Sequence, residues 1–210
     1  MPAKQLLLVG ALLGACLFLP ARAGAQCPTE PTLQNYTGGG TVVCPCFIQG
    51  EEAGAVFQAP AAHYPIEIMK VGIGWASNFG GAPQSLEQNI RVYAAGLPSP
   101  GTPVAQLPGP VLTDGAINEF NLEAQLGGAI EIASGPFSVT LQFLNDNSGN
   151  TFAPSVIHDG NGCQPGKNLV KAIPGGWFDA CALGVSGDWV FYAIYRQKNC
   201  TPLDAGDPFV

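Results

Sequence analysis

Strict alternation between apolar and polar side chains over residues 137–143 is the strongest constraint this chain places on its own fold. Phe137, Val139, Leu141 and Phe143 fall on one face of an extended segment, and Ser138, Thr140 and Gln142 on the other. A period of two belongs to a β-strand with one buried and one solvated face, the usual state of a strand in an antiparallel sheet. Full burial of the four apolar side chains contributes roughly 6–12 kcal/mol before the ordering entropy of the strand is subtracted. The segment therefore belongs to a core, and Gly135 and Pro136 lead the chain into it.

Other stretches carry the same signal. In residues 66–75, IEIMKVGIGW, the apolar positions Ile66, Ile68, Val71, Ile73 and Trp75 alternate with one slip after Ile68. A β-bulge near Met69 and Lys70 would produce that slip. Residues 89–94, NIRVYA, turn Ile90 and Val92 inward. Residues 188–196, DWVFYAIYR, form an apolar, aromatic-rich run expected of a central strand covered on both faces. Weaker strands are expected at 41–48, where Pro45 breaks the ladder, at 55–59, and at 104–107. Gly, Pro, Asn and Asp cluster between these runs, at 78–88, 96–110, 145–150 and 158–162. With 28 glycines and 19 prolines, the chain has little capacity for helix, and only 85–89 and 122–126 suit short ones. Eight to ten strands punctuated by turns predict an all-β, antiparallel two-sheet sandwich of the jelly-roll type. A length of 210 residues suits one such domain, here residues 26–200, followed by a frayed tail at 201–210.

The first 25 residues read as a secretory signal peptide. Lys4 precedes an uncharged apolar run over residues 6–19, and Ala21-Arg22-Ala23 and Ala23-Gly24-Ala25 offer small-residue cleavage patterns. The run is too short to span a membrane. Cleavage after Ala25 leaves Gln26 as the new terminus, in an extracellular or periplasmic protein. The rival reading is a lipoprotein signal, because Leu13-Gly14-Ala15-Cys16 resembles a lipobox that would acylate Cys16. Against it, Leu17, Phe18 and Leu19 continue the apolar run where a lipoprotein turns polar.

Either reading leaves six cysteines, Cys27, Cys44, Cys46, Cys163, Cys181 and Cys200, an even set that predicts a disulfide-stapled domain. Cys163 and Cys181 bracket a Gly-rich excursion, and closing a loop of that size is worth ~3 kcal/mol in the chain-entropy model. Cys44 and Cys46 flank one proline and are expected to be too strained to join each other. One of them would then pair with Cys27 and the other with Cys200. A zinc site is disfavoured, since no Cys-x-x-Cys knuckle is present.

From Gln26 onward six basic residues stand against fifteen acidic ones, with no basic cluster. Such a surface repels phosphates, so nucleic acid is not an expected partner. Nothing in the sequence fixes the oligomeric state.

Three runs, NIRVYAAGLPSPGTPV, NEFNLEAQLGGAIEIASGPFSVTLQF and GGWFDACALGVSGDWVFYAIYR, resemble in their order the jelly-roll accessory modules of secreted bacterial proteins. Those modules are related in appearance to galactose-binding-like and carbohydrate-binding β-sandwiches. The resemblance implies a non-catalytic binding role toward polysaccharide or another cell-surface component. It transfers no binding or catalytic residue by position.

Trp177, in PGGWF, is the one aromatic whose setting between turn signals suits a platform for a sugar ring; the plainer reading is packing over the Cys163–Cys181 staple. Trp75 and Trp189 sit in strand patterns and are read as core. Asp146 and Asp159, in NDNSGN and HDGNG, offer hard oxygen ligands for a structural calcium ion, although Asn and Asp are also what tight turns select. No other cofactor is expected.

No catalytic signature stands out. His63 and His158 are not part of a His-Glu-x-x-His motif, and GVSGD at 184–188 lacks the last glycine of a nucleophile elbow. Glu119, Glu123 and Glu131 supply carboxylates on neighbouring segments, the minimum that a small glycoside hydrolase or lyase would need. The alternative from another class is a self-associating structural subunit of a surface or matrix.

Overall fold

Eleven consecutive residues, Ile66–Ala76, form the longest strand, and both of its edges are occupied along most of their length. The structure, a computed structural model, describes residues 30–38 and 41–199. The expected signal peptide with Cys16, Cys27, Cys200 and the expected tail at 201–210 lie outside the described residues. The strands run β1 (Thr32–Gln34), β2 (Val42–Val43), β3 (Glu52–Phe57), β4 (Ile66–Ala76), β5 (Ser85–Leu86), β6 (Asn89–Tyr93), β7 (Pro103–Pro108) and β8 (Val111–Leu112). They continue as β9 (Ala116–Asn121), β10 (Ile130–Ile132), β11 (Phe137–Gln142), β12 (Ser155–His158), β13 (Asn168–Ala172), β14 (Gly176–Asp179) and β15 (Phe191–Gln197). One short helix, α1 (Leu122–Leu126), follows β9. Asn121 caps it by accepting from the Ala124 N–H at 2.9 Å, and Gly127 ends it in the left-handed region.

Every strand pairing among the described residues is antiparallel. The first sheet is built around β4: β15 and then β12 pair along one edge, and β10 and then β9 along the other, with β1 and β2 outside. The second sheet runs β14-β13-β3-β11-β6-β7, and β5 with β8 makes a separate two-stranded ribbon. The chain passes repeatedly from one sheet to the other, and the two apolar faces close on one core. That core takes Ile66, Ile68, Val71, Ile73 and Trp75 from β4, Phe137, Val139 and Leu141 from β11, and Phe191, Ala193 and Tyr195 from β15. The fold is thus the antiparallel two-sheet sandwich that the period-two runs predict.

The slip in β4 is a bulge. Ile194 pairs with Lys70 and Tyr195 with Ile68, which leaves Met69 as the extra residue. Elsewhere the structure differs from expectation in informative ways. Residues 85–89, a candidate helix, instead contain β5 and the start of β6. The run at 188–196 becomes a strand only from Phe191, and its buried residues alternate with half-covered ones. Its apolar density reflects a buried bridge, Trp189 opposite His158, followed by a one-faced strand.

The largest difference concerns β11. Ser138, Thr140 and Gln142 were expected to face water, yet all are buried, Ser138 and Thr140 completely. With β3 on one side and β6 on the other, β11 lies inside its sheet, where long polar side chains from neighbouring strands close over it.

Cysteine pairing also departs from expectation. Cys163 is joined to Cys181, with Cα atoms 5.4 Å apart. Cys44 is joined to Cys46, which corrects the expectation that strain would keep them apart. The Cys46 N–H donates to the Cys44 carbonyl at 2.9 Å, a three-residue turn centred on Pro45. The ring of proline already fixes the φ that an inverse γ-turn requires, and the turn brings the two Cα atoms to 5.3 Å.

Candidate functional site

The outward positions of the six-stranded sheet converge on one carboxylate. Alternation places Glu52 and Gly54 of β3, Thr140 of β11, Arg91 and Tyr93 of β6, and Lys171 of β13 on the face away from the core. Glu52 is fully buried there. One of its oxygens receives the Arg91 guanidinium at 2.6 Å and the Lys171 ammonium at 3.2 Å. The other accepts from the Tyr93 hydroxyl and the Thr140 hydroxyl, both at 2.7 Å. A buried carboxylate is tolerated only when its lone pairs are filled this completely.

Burial and the adjacent Glu52 charge push the Tyr93 phenol upward, so it stays protonated and donates. Arg91 is held on its far side by the Gln106 amide oxygen at 2.9 Å. Two cations around one anion leave a local excess of positive charge on a chain whose net charge is −7.

Trp177 of β14 stands beside this cluster. It pairs with Lys171 across the strands, its indole meets the Tyr93 ring edge-on at 5.3 Å, and the Lys171 ammonium lies 5.5 Å from its ring centroid. The indole is half-buried, and the Lys171 beside it is itself partly exposed. Its aromatic contact is Tyr93 and its cationic contact Lys171. The face offers an aromatic surface, cationic N–H donors and amide groups, all braced from beneath by one carboxylate. It suits a polar ligand with many hydroxyls.

The sequence reading singled out Trp177 but missed Glu52, Arg91, Tyr93 and Lys171. The signal that would have found them is charge placed in mid-strand: in a chain with 11% charged residues, Arg91 and Lys171 each interrupt an otherwise apolar strand run.

The carboxylates considered for catalysis sit on the other sheet and its helix, facing cations. Glu119 is 3.2 Å from Lys70 and accepts from the Tyr192 hydroxyl at 2.7 Å; Glu123 pairs with Arg196 at 2.8 Å; Glu131 pairs with Lys198. His63 bonds the Tyr195 hydroxyl. His158 accepts from the Gly160 N–H at 3.2 Å, and burial lowers its pKa.

Of the two calcium candidates, Asp146 is exposed and accepts from the Ser148 N–H at 2.9 Å in a local turn. Asp159 is buried and clasps three segments. It accepts from the Thr37 N–H and hydroxyl at 3.0 and 3.3 Å, the Asn161 N–H at 3.1 Å and the Asp188 N–H at 3.0 Å. Burial alone would raise its pKa, but these donors hold it below the usual carboxylate value. Among the described residues one close group of metal-ligating types occurs, Cys163, Asp179 and Cys181, and its two sulfurs are bonded to each other.

A second exposed feature was not foreseen. Phe79 and Phe152, on two adjoining loops, stack at 4.4 Å while remaining 66% and 70% exposed. The Asn78 amide ties the loops by donating to the Thr151 carbonyl at 3.2 Å. Compared with protein-family models, curated proteins and solved structures, the chain matches none of them.

Proposed function

We propose that this chain is a secreted, non-catalytic binding domain that recognises carbohydrate on the outer face of its six-stranded sheet. The observation that carries the reading is the half-buried Trp177 indole set beside Tyr93 and Lys171, in a cluster where buried Glu52 fixes Lys171, Tyr93 and Arg91. Pre-organised donors next to an aromatic face lower the ordering cost of binding a flexible, hydroxyl-rich chain. The leader-like N-terminus and the disulfides support an exported protein.

Affinity electrophoresis of the domain from Gln26 against a panel of neutral and acidic polysaccharides, with calcium and with chelator, tests the reading. Retardation by at least one polymer is expected, lost in Trp177→Ala while the near-ultraviolet circular dichroism of the buried tryptophans is retained. No retardation on any polymer, or retardation indifferent to Trp177→Ala, overturns it.

A second reading, a self-associating structural subunit, is favoured by the exposed Phe79–Phe152 stack. It would show as concentration-dependent sedimentation that Phe79→Ala with Phe152→Ala abolishes.

A further inference from the structure

The two disulfides among the described residues differ in what they do for the fold. Cys163 and Cys181 are 18 positions apart, and both are half-buried. Cys44 and Cys46 are two positions apart; Cys44 is half-buried and Cys46 is exposed. A cross-link stabilises a fold chiefly by the loop entropy it removes from the unfolded chain, and so short a loop holds little of it. The coupling is reciprocal: a bond that adds little to the fold gains little protection from it. On loop length alone, Cys44–Cys46 should be on the order of tenfold easier to reduce than Cys163–Cys181.

The turn is also held by bonds other than the disulfide. The Cys44 N–H donates to the Val156 carbonyl at 3.1 Å, and the Gly149 N–H donates to the Pro45 carbonyl at 3.1 Å. The Phe47 N–H donates to the Asn147 side-chain oxygen at 3.0 Å, and the Asn147 N–H donates back to the Phe47 carbonyl at 3.0 Å. Asn147 is itself buried, with its amide donating to the Ser155 hydroxyl at 3.0 Å. Opened thiols would therefore stay side by side, placed to close again. Both cysteines border a cleft of about 440 Å³, to which Val170, Leu183 and Val185 add apolar wall. That volume admits a small molecule beside the bond.

We propose that Cys44–Cys46 is a thiol–disulfide exchange site for small thiols. The thiolate of an incoming thiol, RSH, attacks Sγ of exposed Cys46; the Cys44–Cys46 bond breaks, and Cys44 leaves as a thiolate that takes up a proton. A second RSH, again as its thiolate, attacks the sulfur of R in the mixed disulfide. RSSR forms, and Cys46 leaves and is protonated in turn. Two thiols are oxidised to one disulfide, the cysteine pair is reduced by two electrons, and the two protons lost by RSH equal those gained by the cysteines. Excess RSSR runs the sequence backwards. The site is independent of the carbohydrate reading.

The test equilibrates the chain from Gln26, which carries all six cysteines of the even set, in stepped mixtures of 2-mercaptoethanol and 2-hydroxyethyl disulfide. Acid quenching, alkylation and peptide mass mapping then count the free thiols at each cysteine. Cys44 and Cys46 should open together at a ratio of thiol squared to disulfide at least tenfold lower than the ratio that opens Cys163–Cys181. The near-ultraviolet circular dichroism of the buried tryptophans should persist as they open. In Cys44→Ser, which lacks the leaving partner, 2-hydroxyethyl disulfide should cap Cys46 faster than it caps Cys44 in Cys46→Ser. Equal ratios for the two bonds, or loss of the folded signal as Cys44–Cys46 opens, overturns the proposal. Capping of Cys44 as fast as Cys46 overturns the assignment of the attacked sulfur and the mechanism with it.

Discussion

Glu87 is the buried acid whose titration the fold makes most visible. Only 3% of the residue is exposed, and its carboxylate accepts from the Leu144 N–H at 2.6 Å. Burial pushes its pKa from 4.5 up to about 7, against the lowering effect of that N–H. Because the folded value lies above the unfolded one, the folded state holds the proton more tightly between about pH 4.5 and 7. The associated stability is fully present below pH 4.5 and is lost as pH rises through about 7. At about 1.4 kcal/mol per pH unit of pKa difference, the loss is bounded at about 3 kcal/mol. Glu87→Gln keeps an oxygen for the Leu144 N–H and carries no charge. The variant should match the wild type near pH 4 and exceed its stability by up to ~3 kcal/mol at pH 8. Urea unfolding of both proteins at each pH from 4 to 8 gives the difference directly, and groups common to both cancel. His158 is one of these. Burial depresses its pKa, so its contribution is lost in the opposite direction, as pH falls below its ordinary value of 6.5. A difference that stays flat with pH, or a wild type more stable than the variant at pH 8, refutes the argument, because the fold would then hold the charged carboxylate without penalty.

The Glu52 cluster and the packing beneath it yield two further expectations. Arg91→Met strips Glu52 of its closer cation, 2.6 Å away and 18% exposed, and should cost about 3 kcal/mol. Lys171→Met, at 3.2 Å and 33% exposed, should cost about 1 kcal/mol by the same urea assay; equal costs would contradict the geometry. A methyl group at Gly54 would lie 2.1 Å from the Val139 carbonyl oxygen and 2.7 Å from the Thr140 Cα. Gly54→Ala should therefore exceed the roughly 1–3 kcal/mol of ordinary overpacking and disturb the Thr140 donor to Glu52. Gly128→Ala, where nothing lies within 4 Å, is the control that should leave thermal unfolding unchanged.

The period-two runs made the sandwich legible because each inward side chain at 66–75, 89–94 and 137–143 reports the core directly. Even the bulge at Met69 showed as a one-residue slip. What the same pattern could not show was the fate of the outward side chains. Thr140 and Gln142 look like solvent-facing residues in any single strand. Their partners come from strands and loops far away in sequence: Thr140 donates to Glu52, and Gln142 accepts from the Asn89 amide and donates to the Gly50 carbonyl. Likewise Cys44 and Cys46 looked too close to join, because a count of residues does not reveal the turn that Pro45 imposes between them.

The candidate site was legible to the extent that charge is scarce in this chain. Only eight of its 210 residues are Lys or Arg, and two of those eight meet at Glu52. A buried ion cluster is weak evidence for stability, since well-packed apolar residues of similar volume would serve the fold as well or better. Its plainer role would be to set strand register, because Glu52, Thr140, Arg91 and Lys171 meet only when β13, β3, β11 and β6 are aligned as they are. That role accounts for the buried contacts but not for the half-buried indole of Trp177 or for the Lys171 ammonium that remains partly open to solvent beside it. A cluster serving register alone has no need to present donors outward. Register and ligand binding therefore separate experimentally at Trp177, whose replacement should spare the alignment of the four strands and remove the face they brace.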